Sequence, residues 1–265
     1  MKTTAKLEKM RTNYNHPIDY FLLTENEEIH LNNKIGSQLR LNFNGEIYCV
    51  NCDKKTKKAF GQGFCYPCFM NSPENAECII RPELCKGHLG EGRDPEWEKM
   101  HHVQPHTVYL ALSSGIKVGV TRDTQIPTRW IDQGASKAIV LAEVPYRQLA
   151  GAIEVDLKNF MGDKTNWQAM LKNIVSPLDL LEEKTKAGNN LTESLKQYLT
   201  INSKIVELIY PVEQYTVKVT SINLEKNPNY EGVLKGIKGQ YLIFENGVVF
   251  NVRNHSGYKI EMSFE

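Results

Sequence analysis

Cys49-Val50-Asn51-Cys52 and Cys65-Tyr66-Pro67-Cys68, followed by Thr107-Val108-Tyr109-Leu110-Ala111-Leu112 and Ile116-Lys117-Val118-Gly119-Val120, are the stretches that decide how this chain folds. The first two are C-x2-C turns separated by residues 53–64. The x2 spacing lets both sulfurs of a turn face one ion, and two such turns supply the four soft ligands of a tetrahedral zinc site. Cys49, Cys52, Cys65 and Cys68 therefore predict a zinc ribbon or treble-clef-like knuckle. Four thiolates close the shell and leave no position for water or substrate, so the zinc is expected to be structural. The other two stretches read as strands joined by the turn Ser113-Ser114-Gly115, which makes a β-hairpin.

Working outward, all six cysteines of the 265-residue chain lie in residues 49–85. Cys78, Cys85 and His88 follow the knuckle, with His101, His102 and His106 further on. Three donors plus a later histidine, His102 among the candidates, give a second zinc site. The alternative is small buried cysteines beside surface histidines. Between the two C-x2-C turns, Lys54, Lys55, Lys57 and Lys58 form a basic cluster. It suits phosphate neutralisation or a solvated loop tip equally.

Beyond the hairpin, Pro127 suits the first turn of a helix carrying Arg129 and Trp130, which Gly134 ends. Lys137–Val144 reads as a third strand. A helix from Arg147 to Met161 then places Leu149, Ile153, Leu157 and Phe160 on one face, with Glu154 beside it. The order is β-β-α-β-α over 107–172, a three-stranded sheet with helices. Residues 173–207 read as a helical connector broken at Gly188-Asn189-Asn190. Residues 1–48 and 208–265 read as β-rich segments, with hairpin turns at Asn44-Gly45 and Glu245-Asn246-Gly247. Two incomplete strand sets at the ends suggest one shared barrel, with the zinc module (49–106) and the α/β segment inserted. The fold class is α+β.

Composition bounds the rest. Hydrophobic residues make up 41% and charged residues 24%, an ordinary globular mix, and the net charge of +1 excludes a grossly basic protein while allowing a local basic face. Met1–Lys6 is not followed by an apolar run, and no stretch is long and apolar enough to span a bilayer. The expected location is cytoplasmic, with no membrane partner.

Val108-Tyr109-Leu110, Lys117-Val118-Gly119-Val120-Thr121, Arg129 and Glu154 resemble the GIY-YIG nuclease core. Taken with Cys49–Cys68, Ile80-Arg81-Pro82-Glu83, Gly92-Arg93-Asp94-Pro95-Glu96-Trp97 and Gln125–Ala135, the chain resembles an uncharacterised bacterial domain-of-unknown-function family of the GIY-YIG group. The resemblance covers most of the chain and is most specific over 117–135. It implies a GIY-YIG-like core in which Tyr109 assists deprotonation of an attacking water, Arg129 stabilises the phosphoryl group and Glu154 holds Mg2+ or Mn2+. The second half-motif departs, because Lys117 stands where a tyrosine would be. Lys117 serves as a base only if burial or neighbours lower its pKa, and otherwise binds phosphate. With Arg122, the four loop lysines complete the nucleic-acid-binding candidates. The residues themselves also allow Tyr109 as an ordinary strand aromatic and Arg129 with Glu154 as a structural pair.

Three functions stay open at this point. One is a metal-dependent endonuclease. Another is a non-catalytic RNA- or ribosome-associated binding protein. The third is a protein-interaction scaffold.

Overall fold

The computed structural model describes residues 2–161 and 166–265. The chain forms two compact units, one from Met1–Met70, Ile131–Gly134 and Ile209–Glu265, the other from Asn71–Trp130 and Ala135–Leu208.

In the first unit the two ends of the chain share one sheet. Its order is Lys2–Lys6, Tyr258–Phe264, Gln38–Tyr48, Asn229–Lys238, Tyr241–Phe244, Val248–Asn251 and Thr220–Ser221, with Lys55–Thr56 added beside Gln38–Tyr48. The expected pairing of the ends is present, but the expected barrel is not. The sheet is open, with Lys2–Lys6 and Thr220–Ser221 as edges among the described residues. Arg11–Asn13, Asp19–Leu23 and Glu28–His30 make a separate three-stranded sheet, so these residues cannot close the larger one. Asn44-Gly45 is not a hairpin. The chain continues through it as one strand, and the pairing with Tyr258–Phe264 shifts register between Tyr258 and Ile260. Gly45, at φ +86°, takes up a bulge where a turn was expected. Glu245-Asn246-Gly247 does join two antiparallel strands.

The second unit is built on an antiparallel sheet ordered Ile205–Glu207, Lys137–Val144, His106–Leu112, Ile116–Arg122. The expected element order is observed, with helix Thr128–Asp132 after the second strand and helix Arg147–Lys158 after the third. The sheet has four strands where the sequence suggested three. Ile205–Glu207 is only three residues long, too short for a period-two signal, and falls within the expected helical connector. Helix Leu180–Asn190 runs through Gly188 instead of breaking there.

His106–Leu112 is the central strand and is buried throughout. Val108, Leu110 and Leu112 point to one face, where they meet Val118, Ile139 and Leu141 of the sheet, Ala150, Ile153 and Leu157 of the Arg147 helix, and Leu180 and Ala187 of the Leu180 helix. Phe160 was expected on that apolar face but lies past the helix end and is exposed. Tyr109, by strand alternation, points to the opposite face, where Trp130 meets it edge-on at 5.9 Å.

No helix among the described residues is long and apolar enough to cross a membrane.

Candidate functional site

The first cysteine group belongs to the first unit. Strand Gln38–Tyr48 delivers Cys49, which is fully buried. The chain then turns back on itself, with the Cys49 N–H donating to the Lys54 carbonyl at 3.0 Å and the Asp53 N–H donating to the Cys49 carbonyl at 2.9 Å. The second turn is closed by reciprocal hydrogen bonds between Phe60 and Phe64 and leads into the short helix Tyr66–Asn71, which carries Cys68. The four Sγ atoms lie within 4.8 Å of one another, a group that can hold a metal ion. Cys52 Sγ and Cys65 Sγ are 3.8 Å apart. A tetrahedron with zinc–sulfur bonds of about 2.3 Å has edges of about 3.8 Å, whereas a disulfide would bring the sulfurs to about 2.05 Å.

The surroundings favour a thiolate at Cys49 and a protonated thiol at Cys68. Burial pushes the Cys49 thiol up, but backbone N–H groups of Cys65, Cys52 and Asn51 outweigh it and bring it down to about 6. Asn51 donates its amide to Cys68 Sγ at 3.3 Å, which favours the Cys68 thiolate. Proton sharing with Cys65, Cys52 and Cys49 overrides that and pushes Cys68 up to about 12. Four thiols this close cannot all ionise without a cation, and a divalent metal removes the conflict. The donor set fits zinc.

Lys54, Lys55, Lys57 and Lys58 are all exposed. Their charge is partly countered: Lys55 pairs with Glu46 at 2.5 Å, and Asp53 pairs with Lys6 at 2.7 Å. Lys58 sits 5.4 Å above the Phe60 ring.

The second cysteine group belongs to the second unit. The sequence reading named Cys78, Cys85, His88 and His102. The structure brings Cys78, Cys85 and His102 together with Glu98, all buried and with ligand atoms within 4.8 Å of one another. His88 lies outside this group and stacks on Tyr146 with ring centroids 4.6 Å apart. His101 stacks on Trp97, and His106 donates from Nδ1 to the Gln104 backbone carbonyl at 2.7 Å, burial pulling its pKa down to about 4. Glu98 and His102 sit one turn apart on helix Pro95–His102, which Asp94 caps by accepting from the Trp97 N–H. An acid and a histidine at i and i+4 fall on one helix face, and that spacing was the available signal for Glu98.

Arg147 was also missed. From the first turn of its helix it donates to the carbonyls of Cys78 (3.0 Å) and Ile79 (2.9 Å). Burial lowers its pKa, while Cys78, Cys85 and Glu154 raise it and Arg129 lowers it. Arg129 and Glu154 are thus both within electrostatic reach of Arg147. Lower on the same helix, Gly151 packs against the Pro82–Leu84 turn so closely that a Cβ there would sit 2.1 Å from the Glu83 nitrogen. Any larger residue at 151 would push that turn off the helix.

The motif residues of the hairpin face one another. Tyr109 pairs with Gly119 across the two strands, and a Cβ on Gly119 would fall 2.5 Å from the Tyr109 hydroxyl. The glycine is there because the tyrosine ring occupies its side-chain space. Tyr109 is fully buried, whereas Lys117, Arg122 and Arg129 are partly exposed. Glu154 keeps 12% of its side chain exposed, with Lys158 at 3.9 Å.

Fold and clusters together define a mixed α+β protein with two thiol-bearing groups of metal-ligating side chains. Residues 36–260 match the family described as "Protein of unknown function (DUF2797)", and the chain belongs to that family. No curated protein and no solved structure matches it.

Proposed function

We propose that this is a zinc-containing nucleic-acid-binding protein whose 107–172 segment is a GIY-YIG-like core that cleaves phosphodiesters with Mg2+ or Mn2+. The observation that carries the reading is the in-register facing of Tyr109 and Gly119 in an element order β-β-α-β-α, and it is supported by Arg129 and Glu154 both acting electrostatically on Arg147. In this reading Arg129 meets the phosphoryl charge, Glu154 holds the catalytic cation and Lys117 binds phosphate. Tyr109, buried against Trp130, positions the hairpin. Lys54, Lys55, Lys57, Lys58 and Arg122 supply sequence-independent attraction.

A second reading, binding without cleavage to RNA or a ribosomal surface, is favoured by Lys117 standing in place of a tyrosine and by the full burial of Tyr109.

The test common to both is the salt dependence of binding to labelled single- and double-stranded DNA and RNA. Each phosphate contact adds about 0.7 to 0.9 to the slope of log affinity against log salt. A steep slope, reduced by about one contact in Arg129→Ala, is expected. Absence of binding at low salt overturns both readings and leaves the protein-interaction scaffold.

A further inference from the structure

We propose that Cys78, Cys85, Glu98 and His102 are the ligands of a second, closed zinc site, distinct from the Cys49–Cys68 knuckle, and that this zinc holds the 78–102 segment onto the Arg147 helix.

Distances carry the argument first. His102 Nδ1 lies 3.4 Å from Cys85 Sγ, 4.0 Å from Cys78 Sγ and 3.6 Å from Glu98 Oε2. The 3.6 Å carboxylate contact is long for a tight ion pair. Two of the three distances, 3.4 and 3.6 Å, match the edges of a tetrahedron built from zinc–ligand bonds of about 2.0 to 2.3 Å, which are about 3.3 to 3.8 Å, and the third, 4.0 Å, is slightly longer. One histidine nitrogen therefore looks at three anionic donors at the spacing a shared ion would set.

Burial makes the same demand. Glu98 is 1% exposed and His102 3% exposed. A carboxylate this deep favours a nearby cation, since unpaired buried charge is costly, and a divalent ion would also hold the two thiols as thiolates. A divalent ion on two thiolates and one carboxylate leaves one surplus negative charge. Arg147, anchored on the Cys78 and Ile79 carbonyls, supplies the opposite charge beside the site.

The supporting shell is also in place. Glu98 accepts the Arg93 N–H on Oε1 at 2.9 Å, which leaves Oε2 turned toward the other ligands. Such outer hydrogen bonds fix the direction of a ligating carboxylate. Gly92 makes room for that carboxyl, because a Cβ there would lie 2.4 Å from it. The Trp97 ring meets His102 edge-on at 5.1 Å. Four protein ligands leave no open position, so the site is structural. Arg147 then links the metal to the helix that carries Glu154.

The test is zinc stoichiometry of the full-length reduced protein by native mass spectrometry. Wild type is expected to carry two zincs per chain, one for each ligand group. The double substitution Cys49→Ser with Cys52→Ser keeps the second zinc, and Cys85→Ser keeps only the first. His88→Ala keeps both, and Glu98→Gln lowers the affinity of the second. Should Cys85→Ser fail to fold, His102→Cys in the cobalt(II) form decides. It retains the second metal, and the thiolate-to-cobalt absorption of that site rises by roughly half as two sulfur ligands become three. A single zinc in saturated wild type overturns the proposal. So does loss of the second zinc in His88→Ala with retention in Glu98→Gln, or an unchanged cobalt spectrum in His102→Cys.

Discussion

The knuckle at Cys49–Cys68 and the cluster at Cys78–His102 use cysteine in different settings. In the knuckle three of the four thiols are partly exposed, the ligands come from two tight turns, and the adjoining lysine loop lies open to water. In the cluster all four ligands are buried and come from two 3-10 turns and a helix. Local sequence spacing builds the first. Tertiary packing builds the second, since Cys78 and His102 are 24 residues apart and meet only when helix Pro95–His102 folds back. The knuckle's group is therefore readable from the chain, and the cluster's only in part: Cys78, Cys85 and His102 are legible, Glu98 is not.

The largest expected effect follows directly. Metal removal should unfold residues 49–70, because a knuckle without zinc keeps little apolar burial and structural zinc contributes about 10–16 kcal/mol of apparent binding energy. Limited proteolysis of the chelated protein should cut first in this stretch. Unchanged protection after verified zinc loss would mean that the strand pairing alone holds it.

Packing dominates the sheet core of the second unit. Ile153→Ala, at a fully buried position of the Arg147 helix, should cost about 2–5 kcal/mol in denaturant unfolding. A cost under about 1 kcal/mol would show that the helix is held by the metal cluster and Arg147 alone.

Each unit also holds a cation away from water, half-buried at Arg147 and fully buried at Lys238, in different company. Arg147 sits on two carbonyls, whereas Lys238 lies 5.2 and 5.3 Å from the Tyr210 and Tyr215 rings. Burial pulls Lys238 from its ordinary 10.5 down to about 8. Between those values the unfolded chain holds the proton more firmly than the folded one, so stability rises with pH across the window. The cost of the buried charge is present in full below pH 8 and is relieved above it. Relative to Lys238→Met, wild type should therefore gain up to roughly 3 kcal/mol from pH 8 to 10.5. A pH-independent difference between the two would contradict the burial of a charged lysine.

The smallest effect belongs to the surface. Arg81 pairs with Glu77 and Glu83 at 3.2 and 3.1 Å but is largely exposed, so Arg81→Ala should cost less than about 1 kcal/mol. A larger loss would mean that the turn packed against Gly151 depends on these pairs.

How much was legible differs by cause. The C-x2-C turns and the β-β-α-β-α order could be read because spacing and alternation are local. Glu98 was harder to read, because its one sequence mark, the i, i+4 spacing to His102, gains meaning only once those residues are known to share a helix. His88 looked equivalent to His102 in sequence, and only packing turned it onto Tyr146. The open sheet looked like a barrel because strand counts say nothing about closure. Gly45 looked like a turn because a bulge and a hairpin both ask for positive φ.

The most direct test of the central claim is incubation of the zinc-loaded protein with labelled DNA and RNA of several shapes in Mg2+ or Mn2+, beside Glu154→Gln. The account predicts cleavage by wild type, and binding without cleavage by Glu154→Gln. Cleavage of equal rate in both proteins would contradict the assignment of Glu154. Binding without cleavage in wild type would contradict the nuclease and leave a nucleic-acid-binding protein on the same fold.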